Sequence, residues 1–201
     1  NQRPLYRNSS SEEYNFFIAG HAYGIPGTKA KGLYKDFYKI ISKNNNYDFG
    51  ILAGDFVVEP SNELFDIVDS QINKLDYKIY LVAGNHDFDR ENGLYEKRYG
   101  KSFYSFKHKE DLFIVLNSDL NNLNIINEQL KFLKNSIQKN KFSNLYIISH
   151  HMIWMFNDQI FNSEKDPRLN FTSTYLSPDF KTNFWKDIAP ILLGLKKNVY
   201  L

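Results

Sequence analysis

The segment Lys78–Asp87, KIYLVAGNHD, joins a short apolar run directly to a glycine and then to three polar residues. Two earlier segments have the same form: Asn15–His21 reads NFFIAGH, and Asp48–Asp55 reads DFGILAGD. Each apolar run has the length of a buried strand, and the glycine allows the chain to turn sharply where the run ends. The sequence therefore predicts three strands that each end in polar side chains.

Helical patterns separate these three strands. Thr28–Ser42 carries apolar residues at helical spacing, and Ser61 is placed to cap a second helix that contains Leu64, Val68 and Ile72. Strands that alternate with helices are typical of a parallel sheet with helices packed on its faces. We therefore expect the strands before His21, Asp55 and Asn85 to lie side by side.

The pattern changes after Asp87. The remaining predicted elements are a hairpin with strands at 102–106 and 111–116, a helix at 127–140, a buried strand at 145–149, a helix near 186–195 and a strand that begins at 198. From His151 to about Lys186 there is no clear period, and the stretch is rich in aromatic residues. It is interpreted either as a functional loop or as a loop held by its own aromatic side chains.

The composition excludes several classes of protein. The chain has 201 residues, a net charge of +2 from 25 basic and 23 acidic side chains, and no cysteine. The near balance of charge gives no indication of a nucleic-acid partner. The lack of cysteine excludes disulfides, thiol catalysis and thiolate metal sites.

Neither compartment nor assembly is indicated by the sequence. No apolar run approaches the roughly 18 residues that a transmembrane helix needs. The chain begins at Asn1 without a visible signal peptide, so a cytoplasmic and an exported location both stay open. The oligomeric state stays open as well.

Histidine is concentrated at the predicted strand ends. Four of the five histidines follow apolar runs: His21, His86, His150 and His151. Parallel strands present their carboxyl ends at one edge of a sheet, where α/β proteins bind ligands. Together with Asp55 and Asn85, these histidines indicate a metal site, although each residue alone is as well explained by a turn, a cap or a structural hydrogen bond.

In this order, the segments resemble the signature of the calcineurin-like metallophosphoesterases: GDxH, GD, GNHD or GNHE, a strand that ends in histidine, and GHxH. The match covers nearly the whole chain, and GNHD after a buried strand is its most specific part. The resemblance implies an α/β fold of two packed β-sheets flanked by helices, with residues 1–201 as a single domain. It also implies divalent metal ions, two in a complete site, and a small phosphoester substrate.

The resemblance implies a role for each matching residue. Asp55 corresponds to the carboxylate that bridges two metal ions, while Asn85 and His150 correspond to further metal ligands. His86 corresponds to a catalytic histidine near the leaving group, and Asp87 to the acid that orients this histidine. Two ions held in this way can clamp the attacking and leaving oxygens of an in-line displacement.

Two features depart from the signature. Gly20–Gly24 reads GHAYG where GDxHG is expected, so His21 occupies an aspartate position and Tyr23 a histidine position. We expect His21 to be a metal ligand, and replacing a carboxylate by imidazole favours manganese, iron, zinc or nickel over magnesium. The chain also ends at Leu201, where the strand before GHxH would begin, so we expect the C-terminal part of the domain to be incomplete.

Two residues beside the site keep several possible roles. Tyr23 is expected to bind metal as a phenolate, to donate a hydrogen bond to phosphate, or to pack. His151 follows the ligand position and is expected close to the site without binding metal.

The sequence thus supports two functions from different classes. The first is hydrolysis of a phosphomonoester or phosphodiester by metal-bound hydroxide. The second is a catalytically degenerate family member that acts as a binding or assembly module. A nucleotide-binding domain is disfavoured, because no GxGxxG or GxxxxGK[ST] follows the first strand.

Overall fold

The computed structural model describes residues 13–24, 31–44, 46–155 and 182–201. In chain order the elements within these ranges are β1 (Phe16–Ala19), α1 (Lys35–Lys43), β2 (Phe49–Ala53), α2 (Asn62–Ile72), β3 (Lys78–Val82), α3 (Leu94–Tyr99), β4 (Tyr104–His108), β5 (Asp111–Val115), α4 (Asn127–Lys139), β6 (Asn144–Ile148), a π-helical turn (Phe184–Ile188), α5 (Ala189–Leu193) and β7 (Asn198–Tyr200).

The first sheet is parallel, in the order β1-β2-β3. Ala19 pairs with Leu52, and Ala53 pairs with Val82, so the three strands end at the same edge. This confirms the prediction that the strands before His21, Asp55 and Asn85 are neighbours. All three polar turns therefore emerge together at the carboxyl edge.

The second sheet has the order β4-β5-β6-β7. β4 and β5 form the predicted antiparallel hairpin, in which His108 pairs with Asp111 across a turn that contains Lys109. β5, β6 and β7 are parallel to one another. The ends of β5 and β6 therefore point in the same direction, which places His150 after the carboxyl end of β6.

The two sheets pack face to face through aromatic side chains. Phe49 of the first sheet lies edge-on to Phe113 of the second, with ring centroids 5.3 Å apart, and both are buried. The rings of Tyr80 and Phe106 stack with centroids 3.6 Å apart. Full burial of such a ring stabilises the fold by roughly 1.5–3 kcal/mol. The aromatic layer therefore holds the two sheets together, and with them their carboxyl edges.

Helices cover the outer faces of both sheets. The first sheet packs against α1 and α2 through a core that includes Leu52, Phe65 and Val68. The second packs against α4 and α5 through a separate core that includes Ile114 and Leu133. The expected α/β fold of two packed sheets flanked by helices is confirmed. Among the helices in the described ranges, none combines the length and apolar character needed to cross a bilayer.

The first helix begins later than the sequence predicts. The backbone N–H of Leu33 donates to Oε1 of Gln71 at 2.8 Å, and Tyr34 N–H donates to Ala22 O at 2.8 Å. Because these tertiary hydrogen bonds occupy the backbone before Lys35, α1 begins only at that residue. The predicted start at Thr28 lies outside the described residues.

Two further differences concern short elements. α3 was not predicted, because its six residues between Gly93 and Gly100 are too few to show a helical period. The helix predicted near Lys186–Leu195 begins as a π-helical turn at Phe184 and continues as α5. Most of the aromatic stretch, residues 156–181, lies outside the described residues.

Candidate functional site

Side chains that follow β1, β2 and β6 meet at the carboxyl edges of the two sheets. Nε2 of His21 lies 3.5 Å from Oδ2 of Asp55, and Nε2 of His150 lies 3.4 Å from Oδ1 of Asp55. One donor atom from each of these three residues lies within 4.8 Å of the other two. The two oxygens of Asp55 therefore face different histidines.

The spacing of these atoms fits metal coordination. Zinc bonds of about 2.1 Å to nitrogen and oxygen at a tetrahedral angle place the two ligand atoms about 3.4 Å apart. A direct N–H···O hydrogen bond has a length of about 2.9 Å. Two imidazoles and one carboxylate form a donor set that suits zinc, iron, nickel or manganese. The three residues can bind one ion together, or Asp55 can bridge two ions.

His150 is oriented as metal-binding histidines usually are. Its Nδ1 lies 2.9 Å from the carbonyl oxygen of Ala53, which can only accept, so Nδ1 carries the proton and Nε2 is left to bind. The side chain is 3% exposed. Burial lowers the pKa of His150, but the hydrogen bond and negative charge of Asp55 outweigh burial, and the pKa is raised.

The absence of a side chain at Gly54 leaves room for the ring of His150. A Cβ atom on Gly54 would lie 2.3 Å from Nδ1 of His150, and Gly54 has a φ of +87° that strongly favours glycine. The N–H of His21 donates to Gly54 O at 3.0 Å, which joins the turn after β1 to the turn after β2. Gly54 therefore serves both as a turn residue and as space for a ligand.

Asp55 is held with its backbone in the left-handed region, at a φ of 55°. Its Oδ1 accepts the N–H of His86 at 3.0 Å. Burial raises the pKa of Asp55, but the hydrogen bond and charge of His150 lower the pKa by more than burial raises it. The pKa of Asp55 therefore lies below its usual value. Asp55 is therefore an ionised carboxylate at neutral pH.

The turn after β3 approaches Asp55 equally closely. A Cβ atom on Gly84 would lie 2.3 Å from Oδ1 of Asp55. Asn85 follows, with an exposed side chain, and the next N–H, that of His86, contacts Asp55. The turn that carries Asn85 thus lies beside the carboxylate, and the role of Asn85 as a metal ligand stays a prediction.

His86 and Asp87 do not form the contact expected from the sequence. Nδ1 of His86 lies 2.7 Å from the carbonyl oxygen of Val58. Both oxygens of Asp87 instead accept backbone N–H groups, among them those of Asp55 at 2.6 Å and Gly84 at 2.9 Å. The expectation that Asp87 orients His86 is therefore corrected: a backbone carbonyl orients the ring, and Asp87 orients the backbone.

Asp87 is fully buried, and burial raises its pKa to about 7, against the opposing effect of its backbone hydrogen bonds. A buried carboxylate is stable only where donors satisfy it. The converging N–H groups of the two turns supply those donors, which explains why the side chain points inward rather than toward His86.

Tyr23 lies beside His86. Its ring centroid is 5.7 Å from that of His86. Burial raises the pKa of Tyr23, and the negative charges of Asp55 and Asp87 raise it further, so the phenol keeps its proton at neutral pH. The His21 side chain is 68% exposed, and no hydrogen bond to its ring is present among the described residues.

His151 packs against His150, with ring centroids 4.7 Å apart. It also contacts Ser118 and Asp119, two residues that the sequence analysis did not identify. Its Nδ1 lies 3.0 Å from Oγ of Ser118 and 3.4 Å from Oδ2 of Asp119. Ser118 and Asp119 lie three and four residues after the end of β5. An apolar strand that ends in polar residues, the signal that identified the other turns, was also present here.

One family model matches most of the chain. The family model for the calcineurin-like phosphoesterases matches residues 21–197. The comparison with curated proteins found no match. Similar solved structures include Vps29 of Chaetomium thermophilum, at 14% identity and a TM-score of 0.37, covering 66% of this chain and 59% of that chain.

Two other similar structures have the same range of coverage. Vps29 of Entamoeba histolytica complexed with Zn²⁺ has 12% identity and a TM-score of 0.36, covering 66% of this chain and 62% of that chain. Vacuolar protein sorting 29 of Cryptosporidium parvum has 15% identity and a TM-score of 0.37, with the same coverage of 66% and 62%. The chain thus spans less than two thirds of the length of these structures.

Proposed function

The chain belongs to the calcineurin-like phosphoesterase family, and we propose that it is a metal-dependent hydrolase of a phosphomonoester or phosphodiester. The observation that carries the proposal is the meeting of His21, Asp55 and His150 at 3.4–3.5 Å from nitrogen to oxygen. This spacing fits ligands of a shared ion and is longer than the usual N–H···O hydrogen bond of about 2.9 Å.

In the proposed site, Asp55 would be the ligand that two divalent ions share, with His21 beside one of its oxygens and His150 beside the other. The amide oxygen of Asn85 is the proposed additional ligand. Bound ions would lower the pKa of a water molecule and withdraw charge from the phosphoryl oxygens. The donor set favours manganese, iron, zinc or nickel over magnesium.

His86 is the proposed acid for the leaving group. The carbonyl of Val58 accepts the proton on Nδ1, so the protonated ring carries its second proton on Nε2, the atom available to a leaving oxygen. Tyr23, whose raised pKa keeps the phenol protonated, is the proposed hydrogen-bond donor to a phosphoryl oxygen. His151 lines the site without binding metal.

The proposal is tested by metal analysis and by turnover of p-nitrophenyl phosphate and bis(p-nitrophenyl) phosphate. We expect the protein to bind Mn²⁺ or Zn²⁺, to lose turnover after dialysis against a chelator, and to regain it when metal is returned. Asp55→Asn should lose most metal and most turnover. Asp111→Asn is the matched control, because Asp111 is equally buried but begins β5, at the opposite end of the sheet.

A second candidate function is a family member that keeps the fold and one ion and serves as a binding or assembly module. The observation that favours it is the substitution at His21: the aspartate position of the family is filled by a mostly exposed imidazole, so Asp55 is the single carboxylate in the three-residue cluster. One bound ion without turnover of either substrate would support this function. Turnover that follows metal content would exclude it.

A further inference from the structure

The carboxylate of Asp87 collects four backbone N–H groups from two turns. Its Oδ2 accepts from Asp55 at 2.6 Å and from Gly84 at 2.9 Å. Its Oδ1 accepts from Phe56 at 2.9 Å and from Val57 at 3.0 Å. Three successive N–H groups of one turn thus converge on a single buried acidic side chain, the arrangement by which backbone nests bind anions.

The turn held in this way includes a residue in an unfavourable conformation. Asp55 has a φ of 55°, in the left-handed region that side chains with a Cβ atom seldom adopt. Such a conformation persists only where surrounding contacts determine it. Of the four hydrogen bonds to Asp87, the shortest is donated by Asp55 itself.

We infer that Asp87 is a positioning residue, which fixes the backbone of Asp55 so that both oxygens of the Asp55 carboxylate face the two histidines. The inference rests on the proposed metal site. Through the N–H of Val57, Asp87 also holds the segment whose next carbonyl, that of Val58, receives the ring of His86. One buried carboxylate therefore sets the backbone for both the bridging ligand and the proposed acid.

The test compares two isosteric variants by Mn²⁺ titration and electron paramagnetic resonance. Asp87→Asn replaces an acceptor oxygen by an NH₂ group that faces N–H donors, so the turn should shift. We expect its Mn²⁺ affinity to fall by about 10- to 100-fold, the range seen when a residue that orients a metal ligand is removed. The signal of exchange-coupled Mn²⁺ pairs should weaken as well, because a misplaced Asp55 no longer bridges.

Asp111→Asn is the control for the loss of a buried carboxylate. Asp111 accepts the hydroxyl of Tyr14 at 2.6 Å and the N–H of Asn144 at 3.1 Å, remote from the carboxyl edge. Its removal should lower thermal stability and leave Mn²⁺ affinity unchanged. Equal loss of affinity in both variants would mean a general effect on folding and would overturn the inference.

A second measurement needs no variant and covers the case in which Asp87→Asn does not fold. In the parent protein without metal, the amide protons of Asp55, Phe56 and Val57 should exchange slowly with solvent. Fast exchange would overturn the inference. A parent that binds no metal contradicts the proposed function instead, whereas a parent and an Asp87→Asn variant that bind Mn²⁺ equally well contradict the role of Asp87 alone.

Discussion

Substitution of Gly84 by alanine tests how closely the turn after β3 must approach Asp55. The added Cβ atom would lie 2.3 Å from Oδ1 and 2.5 Å from the backbone nitrogen of Asp55, where an ordinary contact needs at least 3.4 Å. One partner must therefore move by about 1 Å, several times the ±0.2 Å or so that metal–ligand distances tolerate. Gly84 does not have a positive φ, so the effect is steric and does not come from backbone strain.

We expect two measurable effects of Gly84→Ala. The protein should lose about 1–3 kcal/mol of unfolding free energy, the usual cost of overpacking a tight interior, as measured by denaturant titration. The affinity for Mn²⁺ should fall by about 10- to 100-fold, because Oδ1 of Asp55 is the atom displaced. A loss of stability alone would be an effect on packing and not on the site.

Two other glycines serve as matched controls. Gly20→Ala adds a methyl group whose nearest neighbour, Ala53 O, is 3.4 Å away, so it should keep metal affinity and most of its stability. Gly100 has a φ of +83° and open space around the new Cβ atom, so Gly100→Ala measures strain without a clash. If Gly84→Ala binds Mn²⁺ as the parent does, the close packing of this turn on Asp55 does not position the ligand, and the reasoning is wrong.

Three further predictions concern the histidines. His86→Ala should lose most turnover of p-nitrophenyl phosphate but keep its metal content, because Nδ1 bonds to Val58 O and the ring is not in the ligand cluster. Equal loss of metal in His86→Ala and Asp55→Asn would contradict these roles. His21→Ala should lose metal affinity by at least about tenfold, while His21→Asp should bind metal with its preference shifted toward manganese and magnesium. Calorimetry with each ion measures both affinities. If His21→Ala binds metal as tightly as the parent protein does, His21 is not a ligand. Mn²⁺ affinity should rise as the pH rises through the pKa of His150, which Asp55 raises above its usual value, because a proton must leave Nε2 before metal binds. The same proton stabilises the metal-free protein at low pH, and this stabilisation should be lost as the pH rises through the pKa of His150.

The sequence was sufficient to predict that the three strands of the first sheet lie side by side and that a polar turn follows each strand. An apolar run of strand length followed by glycine is a local signal, and strands that alternate with helices admit few topologies. The prediction that His21, Asp55 and His150 meet rested on these neighbouring strands together with the resemblance to the family signature. The short helix α3 and the late start of α1 were not predictable, because one is too short to show a period and the other is set by hydrogen bonds to Gln71 and Ala22.

The sequence by itself determined which side chains stand at the ends of the strands, since this depends on neighbours along the chain. Only the tertiary structure decided what each of them contacts. Val58 O receives His86, Ala53 O receives His150, and four N–H groups bind Asp87. These partners are backbone groups that nearly every residue carries, and most come from turns about 30 or more residues away. No pattern of side chains could have distinguished them before the two sheets brought the turns together.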